Sequence, residues 1–491
     1  MATKCRVGIN GFGRIGRLTF RYIMEMPEFE VVLINELIGG AETGAYLAKF
    51  DSVHGTWENH EVDNEGDEWM LVDGKKIKYT GEKDFLKVDW AASQVDMVLE
   101  CSGVYLKTEV LKPYLEQCGV KRVIVSAPVK EASVLNVVVG VNDDKLTADH
   151  TICTAASCTT NCIAPIIKVL AHHLTHFPFV PHCMYTRTPI AVAHMPRAPI
   201  SHTSHVHIYL HFSPHLRQYH TSHLSHARFF HIPQQPHLSR ISRAHISRAN
   251  ISRAHISRAH ISCPQVLHES IGIEKGMITT VHDITGTQSL VDMVNSKKKD
   301  LRRCRSGMLN LAPTSTGSAT AVAEVFPELR GKLNGHAIRV PMLNSSITDM
   351  VFVMKKDVTV EEVNGMLEAA SKPGPLASTE LHGPILGFEK RPLVSTDYTN
   401  DVRSTIVDAP STMVVQGNML KVYAWYDNEA GYSMRMAELA RIVNKRSCER
   451  SVELLRSATG APQTRLPFVL YWLENVLMAC VLCRVRAGEN A

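Results

Sequence analysis

The sequence has no uninterrupted apolar run of about 20 residues, the length needed to cross a bilayer. Its nearest approach, residues 466–483, spans 18 positions but is broken by Glu474 and Asn475, and an acid at the centre of a membrane helix is costly. No membrane association is therefore expected. The opening residues MATKCRVGIN lack both a secretory apolar stretch and an Arg/Ser-rich transit segment, which points to a cytoplasmic protein. The 12 cysteines are scattered, and their spacing matches neither a disulfide framework nor a zinc ribbon. A lone CxxC at Cys480 and Cys483 is a weak signal, so a reducing compartment and no metal site are expected. Residues 171–267 contain no acid and no lysine, but nine arginines. The formal net charge of +5 thus belongs to that segment, and the rest of the chain carries about −4. Nothing in that balance calls for nucleic acid.

At 491 residues and 45% apolar content, the chain can form two or three domains, each with its own core. Residues 4–9 read as a strand, a glycine turn follows, and residues 14–24 read as a helix leading to a second strand over 30–35. Short β-branched runs at 95–100, 122–126 and 137–141 alternate with helix-like segments. This is the pattern of an α/β fold with a Rossmann-type, doubly wound parallel sheet. A second region has strands at 276–282, 337–340 and 347–354 and helices near 318–326 and 359–371. It predicts an α+β catalytic domain with a mixed sheet. A final helix is expected over 431–444.

Residues 171–267 interrupt this pattern. They hold 18 of the 25 histidines and a period-five repeat from Ile241-Ser242-Arg243-Ala244-His245 to Ile261-Ser262. A period of five matches neither helix nor strand, so no apolar face forms and disorder is expected. Histidine is a common metal ligand. The irregular spacings of His202, His205 and His207, and of His220, His223 and His226, predict weak metal adsorption rather than a defined site.

Three features carry chemistry. Gly11, Gly13 and Gly16 follow a strand and open a helix, which lets a pyrophosphate approach the backbone at a helix N-terminus. Glu36 stands about 20 residues further on, at the end of the second strand, where an acid bonds ribose hydroxyls and repels a 2′-phosphate. The run Ala156-Ser157-Cys158-Thr159-Thr160-Asn161-Cys162 places a thiol among capping hydroxyls at a helix start, which favours the thiolate.

These blocks, with Thr279-Thr280-Val281-His282 and Trp425-Tyr426-Asp427-Asn428-Glu429 in this order, closely resemble phosphorylating glyceraldehyde-3-phosphate dehydrogenases. The resemblance runs from about residue 4 to about 444. It implies an NAD-binding domain over 1–157, a catalytic domain over 158–427, a helix over 428–445 returning to the first domain, and an extension of unknown structure over 446–491. It also locates the foreign segment: Cys158 and His282 are 124 positions apart, and removing the 97 residues of 171–267 leaves 27, close to the family's separation. A smaller intrusion lies near 378–382. Translated non-coding sequence is one explanation for such pieces.

The resemblance further implies that Cys158 attacks the aldehyde as thiolate and that His282 is its ion-pair partner and base. Arg14 and Ile15 would lie against the NAD pyrophosphate, Ser126 near the nicotinamide ribose, and Asn428 on the carboxamide. Thr285, Thr287 and Arg339 would hold the substrate phosphate of glyceraldehyde 3-phosphate. Ser157, Thr159, Arg303, Thr316 and Gly317 would hold inorganic phosphate. The implied assembly is a homotetramer. The family more often has Asp at the position of Glu36, and Leu-Pro where Met293-Val294 stands, so NADP stays open beside NAD. Arsenate is an alternative attacking oxyanion. An inactive or moonlighting relative with a histidine-rich binding arm is the competing reading.

Overall fold

A computed structural model describes residues 4–171, 272–294, 300–374, 376 and 384–459. The histidine-rich repeat, the intrusion near 378–382 and the apolar run at 466–483 lie outside the described residues.

Among the described residues, one sheet has nine strands in the order β3-β4-β5-β2-β1-β6-β7-β9-β8. They are β1 (Cys5–Asn10), β2 (Phe29–Asn35), β3 (Val62–Glu65), β4 (Trp69–Val72), β5 (Lys75–Thr80), β6 (Met97–Glu100), β7 (Arg122–Val125), β8 (Leu135–Asn136) and β9 (Ile152–Thr154). All neighbours from β5 to β8 pair in parallel. Helices α1 (Arg14–Met24), α2 (Gly40–Lys49) and α3 (Thr108–Glu116) connect them. Parallel strands covered on both faces read as continuous apolar runs, and β6 is buried at all four positions. The chain runs outward from β1 in one direction and returns to β6 on its other side, so the β1–α1 turn sits at the point where strand order reverses.

The expected strand at 137–141 is not formed. Pairing ends at Asn136, Gly140 takes φ +79°, and the amide of Val138 donates to the side chain of Asn142 at 2.7 Å. An Asn side chain that captures a backbone amide turns the chain away from a ladder.

Helix α4 (Cys158–Ala171) leads out of the first sheet. Pro165 inside it costs roughly 3 kcal/mol. Cys162, Ile163, Ile166, Ile167, Val169 and Leu170 are all buried, and at about 1.5–3 kcal/mol for each large aliphatic side chain burial outweighs the proline. This face packs on a second, eight-stranded sheet in the order β11-β12-β10-β13-β17-β15-β14, with β16 on β17. Its strands are β10 (Ile273–His282), β11 (Ala312–Ser315), β12 (Leu333–Arg339), β13 (Ser346–Met354), β14 (Leu386–Glu389), β15 (Thr405–Asp408), β16 (Met413–Val415) and β17 (Met419–Tyr426). Helices α5 (Ser318–Val325) and α6 (Val360–Ala370) complete this layer. Parallel and antiparallel pairs make the sheet mixed, and β13 alternates strictly between buried and half-buried positions.

The last helix, α7 (Ala430–Thr459), is longer than the expected 431–444. Its Met436, Ala437, Leu439, Ala440 and Val443 join the core of the first sheet beside Phe20 and Ile23. Beyond residue 444, Ser447 accepts a hydrogen bond from Arg122 at 3.0 Å and Arg450 pairs with Asp149. No described helix is long and apolar enough to cross a membrane.

Candidate active site

The three loop glycines serve three needs. Gly11 has φ +92°, a conformation L side chains rarely adopt, and a Cβ there would sit 2.5 Å from the amide of Ser102. A Cβ at Gly16 would lie 2.2 Å from the carbonyl of Gly11, so this glycine lets helix and turn touch. A Cβ at Gly13 would meet nothing within 4 Å. The space at Gly13 faces the first turn of α1, where Arg14, Ile15 and Gly16 present N–H groups with no intrahelical partner. Glu36 closes this loop, accepting from the amides of Phe12 (2.6 Å) and Leu37 (2.9 Å). These residues fit a dinucleotide: open glycine backbone and helix amides for the pyrophosphate, and a fixed carboxylate for the ribose.

The Arg14 side chain is committed elsewhere. It forms hydrogen bonds to Glu429 at 3.0 and 2.6 Å and pairs with Asp51. Burial opposes the charge of each carboxyl, yet Arg14 holds Asp51, and His54 together with Arg14 holds Glu429, below the usual range. The group Arg14 has left to offer a pyrophosphate is its backbone amide. Ser126 stands at the end of β7, its amide bonded to Glu100. Asn428 is buried and accepts from the hydroxyl of Ser346 at 3.2 Å.

Cys158 is the first residue of α4. Ala156, two residues before it, takes φ +53° and is fixed by its N–H, which donates to Thr154 Oγ1 at 3.0 Å, and by Tyr432, whose hydroxyl donates to the Ala156 carbonyl at 3.2 Å. Ser157 caps the helix, accepting from the amide of Thr160 at 3.1 Å. Cys158 thereby packs against both cores at their seam.

The facing imidazole comes from β10. The period-two alternation puts Ile278, Thr280 and His282 on one face, and parallel pairing sets His282 beside Arg339 of β12. Nε2 of His282 lies 3.7 Å from Sγ of Cys158. Burial raises the thiol pKa, but the hydrogen bond and charge of His282 outweigh it, and the net direction is down. Burial works against the imidazolium too. Asp283 and Cys158 overcome it, against Arg339, and push the His282 pKa up to about 9. Both shifts favour a thiolate–imidazolium pair.

This pair borders a cavity of about 510 Å³ that Ser157, Thr159, Arg303, Thr316, Gly317 and Arg339 also line. All five residues expected to hold inorganic phosphate, and Arg339 of the set expected to hold the substrate phosphate, thus line one space. Thr285 and Thr287 do not line it. Their hydroxyls are 3.0 Å apart, and Arg303 donates to Thr287 at 2.9 Å, linking them to the cavity wall. Guanidinium forks beside hydroxyls are suited to phosphoryl oxygens. Among the described residues no cluster of three His, Cys, Asp or Glu could hold a metal.

Four contributors were missed in the sequence. Lys130 and Ser318 line the cavity. Tyr426 is buried, its hydroxyl 3.0 Å from Thr159 Oγ1 and 2.8 Å from Thr280 Oγ1, its ring edge-on to His282. Asp283 sits against His282, with Oδ1 2.7 Å from Nδ1. The quoted TTVH and WYDNE strings contained or adjoined Tyr426 and Asp283, so adjacency was the one available signal.

A doubly wound sheet with this glycine loop, joined to a thiol–imidazole pair, defines an NAD-dependent oxidoreductase. Residues 5–108 match the family described as "Glyceraldehyde 3-phosphate dehydrogenase, NAD binding domain", and residues 259–428 match its C-terminal domain. The chain is 43% identical over 443 residues to "Glyceraldehyde-3-phosphate dehydrogenase 3" of Nostoc sp., covering 90% of this chain and 98% of that protein. It is 37% identical to the Bacillus cereus "Glyceraldehyde-3-phosphate dehydrogenase 1" over 436 residues, covering 89% of this chain and 97% of the relative. It is also 37% identical to the Geobacillus stearothermophilus enzyme over 439 residues, covering 89% and 98%. The chain belongs to the glyceraldehyde-3-phosphate dehydrogenase family. These matches do not favour the inactive or moonlighting reading.

Proposed function

We propose that this chain converts D-glyceraldehyde 3-phosphate and inorganic phosphate to 1,3-bisphosphoglycerate through a thioester on Cys158, with NAD as cofactor. The observation that carries this reading is the 3.7 Å approach of His282 to Cys158 at the edge of a cavity lined by Arg303 and Arg339.

The Cys158 thiolate adds to the aldehyde carbon, and His282 donates its Nε2 proton to the resulting oxyanion. His282 then recovers the hydroxyl proton as the carbon is oxidised. NAD, when held at the glycine loop, would supply the hydride acceptor for that oxidation. Inorganic phosphate attacks the thioester and expels Cys158 as thiolate, which the imidazolium again balances. Thr285, Thr287 and Arg339 bind the substrate phosphate, while Ser157, Thr159, Arg303, Thr316 and Gly317 orient the attacking one. Gly11, Gly13, Arg14, Ile15, Gly16, Glu36, Ser126 and Asn428 position the cofactor. Glu36 favours NAD over NADP by charge.

Residues 1–157 form the NAD-binding domain and 158–427 the catalytic one, with 171–267 as an insertion and 446–491 as an extension. A homotetramer accounts for the exposed apolar side chains of Leu290, Val291, Val294, Leu309 and Leu311, which are large and close in sequence. A cytoplasmic location fits the eight described cysteines, all unpaired. The test is NADH formation by the full chain with glyceraldehyde 3-phosphate. It should require both the aldehyde and phosphate. A chain that is folded yet forms no aldehyde-dependent NADH would refute the reading.

A further inference from the structure

Asp283 is 1% exposed, and its Oδ1 lies 2.7 Å from Nδ1 of His282, within ion-pair range. The side chain of Asn428 is the other polar group acting on this carboxylate, and by strict geometry neither oxygen completes a hydrogen bond. Asn428 is neutral, a buried carboxylate is costly unless a cation balances it, and the neighbour that can carry that charge is the imidazole of His282.

Nδ1 of His282 has conflicting neighbours. Nη1 of Arg339, at 2.8 Å, can only donate. The carbonyl of Asp283, at 3.0 Å, can only accept, as can its Oδ1 in the ionised carboxylate. One nitrogen cannot serve both in a single protonation state. If a neutral ring accepts from Arg339, its proton is on Nε2, and Nε2 cannot then take the thiol proton of Cys158. If Nδ1 carries the proton toward Asp283, the Nε2 lone pair faces Sγ.

We propose that Asp283 is a positioning residue that holds the proton of His282 on Nδ1, so that Nε2 receives the proton of Cys158. The inference rests on the Cys158–His282 chemistry proposed above. In the step it supports, the S–H bond breaks and an Nε2–H bond forms. Nδ1–H remains directed at Asp283, which takes no proton. When Arg339 turns to a substrate phosphoryl oxygen, Asp283 remains as the charged partner of Nδ1.

The surrounding charges agree with this assignment. Cys158, Arg339 and the edge of Tyr426 also face His282. Arg303 lies on the same cavity. Glu429 acts on Asp283 from α7's side, and its own charge is tied to Arg14 and His54. Burial pushes the carboxyl of Asp283 up, and His282 and Asn428 offset this in part, so the carboxylate depends on the imidazolium beside it for its charge.

Asp283→Asn in the full chain is the test, because it keeps shape and the backbone carbonyl while removing the charge. kcat/KM for NADH formation is measured against pH, alongside melting temperature and NAD affinity. The alkaline limb should move down by about one pH unit, and the optimum should fall about tenfold or more, with melting and NAD affinity retained. An unmoved alkaline limb would overturn the proposal, since the backbone carbonyl of Asp283 would then suffice. Should the variant not fold, the ¹⁵N resonances of His282 in the unaltered chain decide. Nδ1 protonated across the active pH range supports the assignment, and Nδ1 bare overturns it. Activity surviving in Cys158→Ser would instead sink the underlying chemistry, whatever Asp283 does.

Discussion

Nε2 of His282 and Sγ of Cys158 lie 3.7 Å apart although 124 positions separate them in the chain, one at the end of a strand and the other at the start of a helix. The pair sets a pH window. Against burial, His282 pulls the thiol pKa below its ordinary value, while Asp283 and Cys158 push that of His282 up to about 9. Thiolate and imidazolium coexist between these limits, so kcat/KM should rise as the thiol ionises and fall as His282 deprotonates near 9. His282→Asn removes the thiolate's main partner and leaves Arg339 as the remaining group opposing burial. Iodoacetamide alkylation of Cys158 at pH 7 should then slow by about tenfold or more. An unchanged rate would show that His282 does not activate the thiol.

Gly13 and Gly16 should separate binding from folding. Gly16→Ala places a methyl 2.2 Å from the Gly11 carbonyl, which should cost about 1–3 kcal/mol and lower the melting temperature. Gly13→Ala meets nothing within 4 Å, so stability should hold to within about 0.5 kcal/mol. NAD affinity should nonetheless fall by about tenfold, or 1.4 kcal/mol, because the methyl occupies the space left for a pyrophosphate. Melting curves and fluorescence titration with NAD check both halves. Equal melting losses would contradict the distinction.

Most of this site was legible because its signals are local. The glycine spacing, the acid after β2 and the hydroxyls around Cys158 act within a turn or two of the backbone. Asp283 and Tyr426 were not legible as contributors, since what each touches is set by the pairing of β10 with β12 and of β13 with β17. The partners of the Arg14 side chain were hidden for a similar reason, since Asp51 and Glu429 lie 37 and 415 positions away. The absent strand at 137–141 shows a different failure, in which β-branched residues signalled a ladder and one Asn side chain took the amide it needed. The end of α7 was underestimated although residues 445–459 contain neither Gly nor Pro, and Gly460 follows directly.

Glu36 is expected to discriminate between cofactors through charge. Glu36→Gln keeps an acceptor for the amide of Phe12, whereas Glu36→Ala removes it. Both should raise the ratio of kcat/KM for NADP over that for NAD, by about tenfold. Ala should also weaken NAD further, by loosening the loop. Ratios unchanged in both variants would reject Glu36 as the discriminator.

The interruption at 171–267 should be dispensable. The amide of Gly272 donates to the carbonyl of Leu170 at 3.2 Å, with Gly272 at φ +71°. The end of α4 and the start of β10 therefore already meet across the interruption. Removing 171–267 joins Leu170 to His268 and leaves four residues before Gly272. Closure entropy changes by only about 0.6 kcal/mol per doubling of loop length, so folding and activity should be kept or improved. Melting curves and NADH formation by the shortened and full chains make the comparison. A shortened chain that fails where the full chain succeeds would make the segment integral.

The thioester on Cys158 is most directly tested by a single turnover with NAD and glyceraldehyde 3-phosphate in the absence of phosphate, followed by stopped-flow absorbance and intact mass. NADH should appear in a burst that Cys158→Ser lowers to less than about a hundredth of its rate, an alcohol being a far weaker nucleophile than a thiolate. The variant should still bind NAD. The mass of the unaltered chain should rise by one 3-phosphoglyceroyl group, localised to the peptide containing Cys158. An undiminished burst in Cys158→Ser, or an acyl group on another residue, would contradict the assignment of Cys158 as the nucleophile.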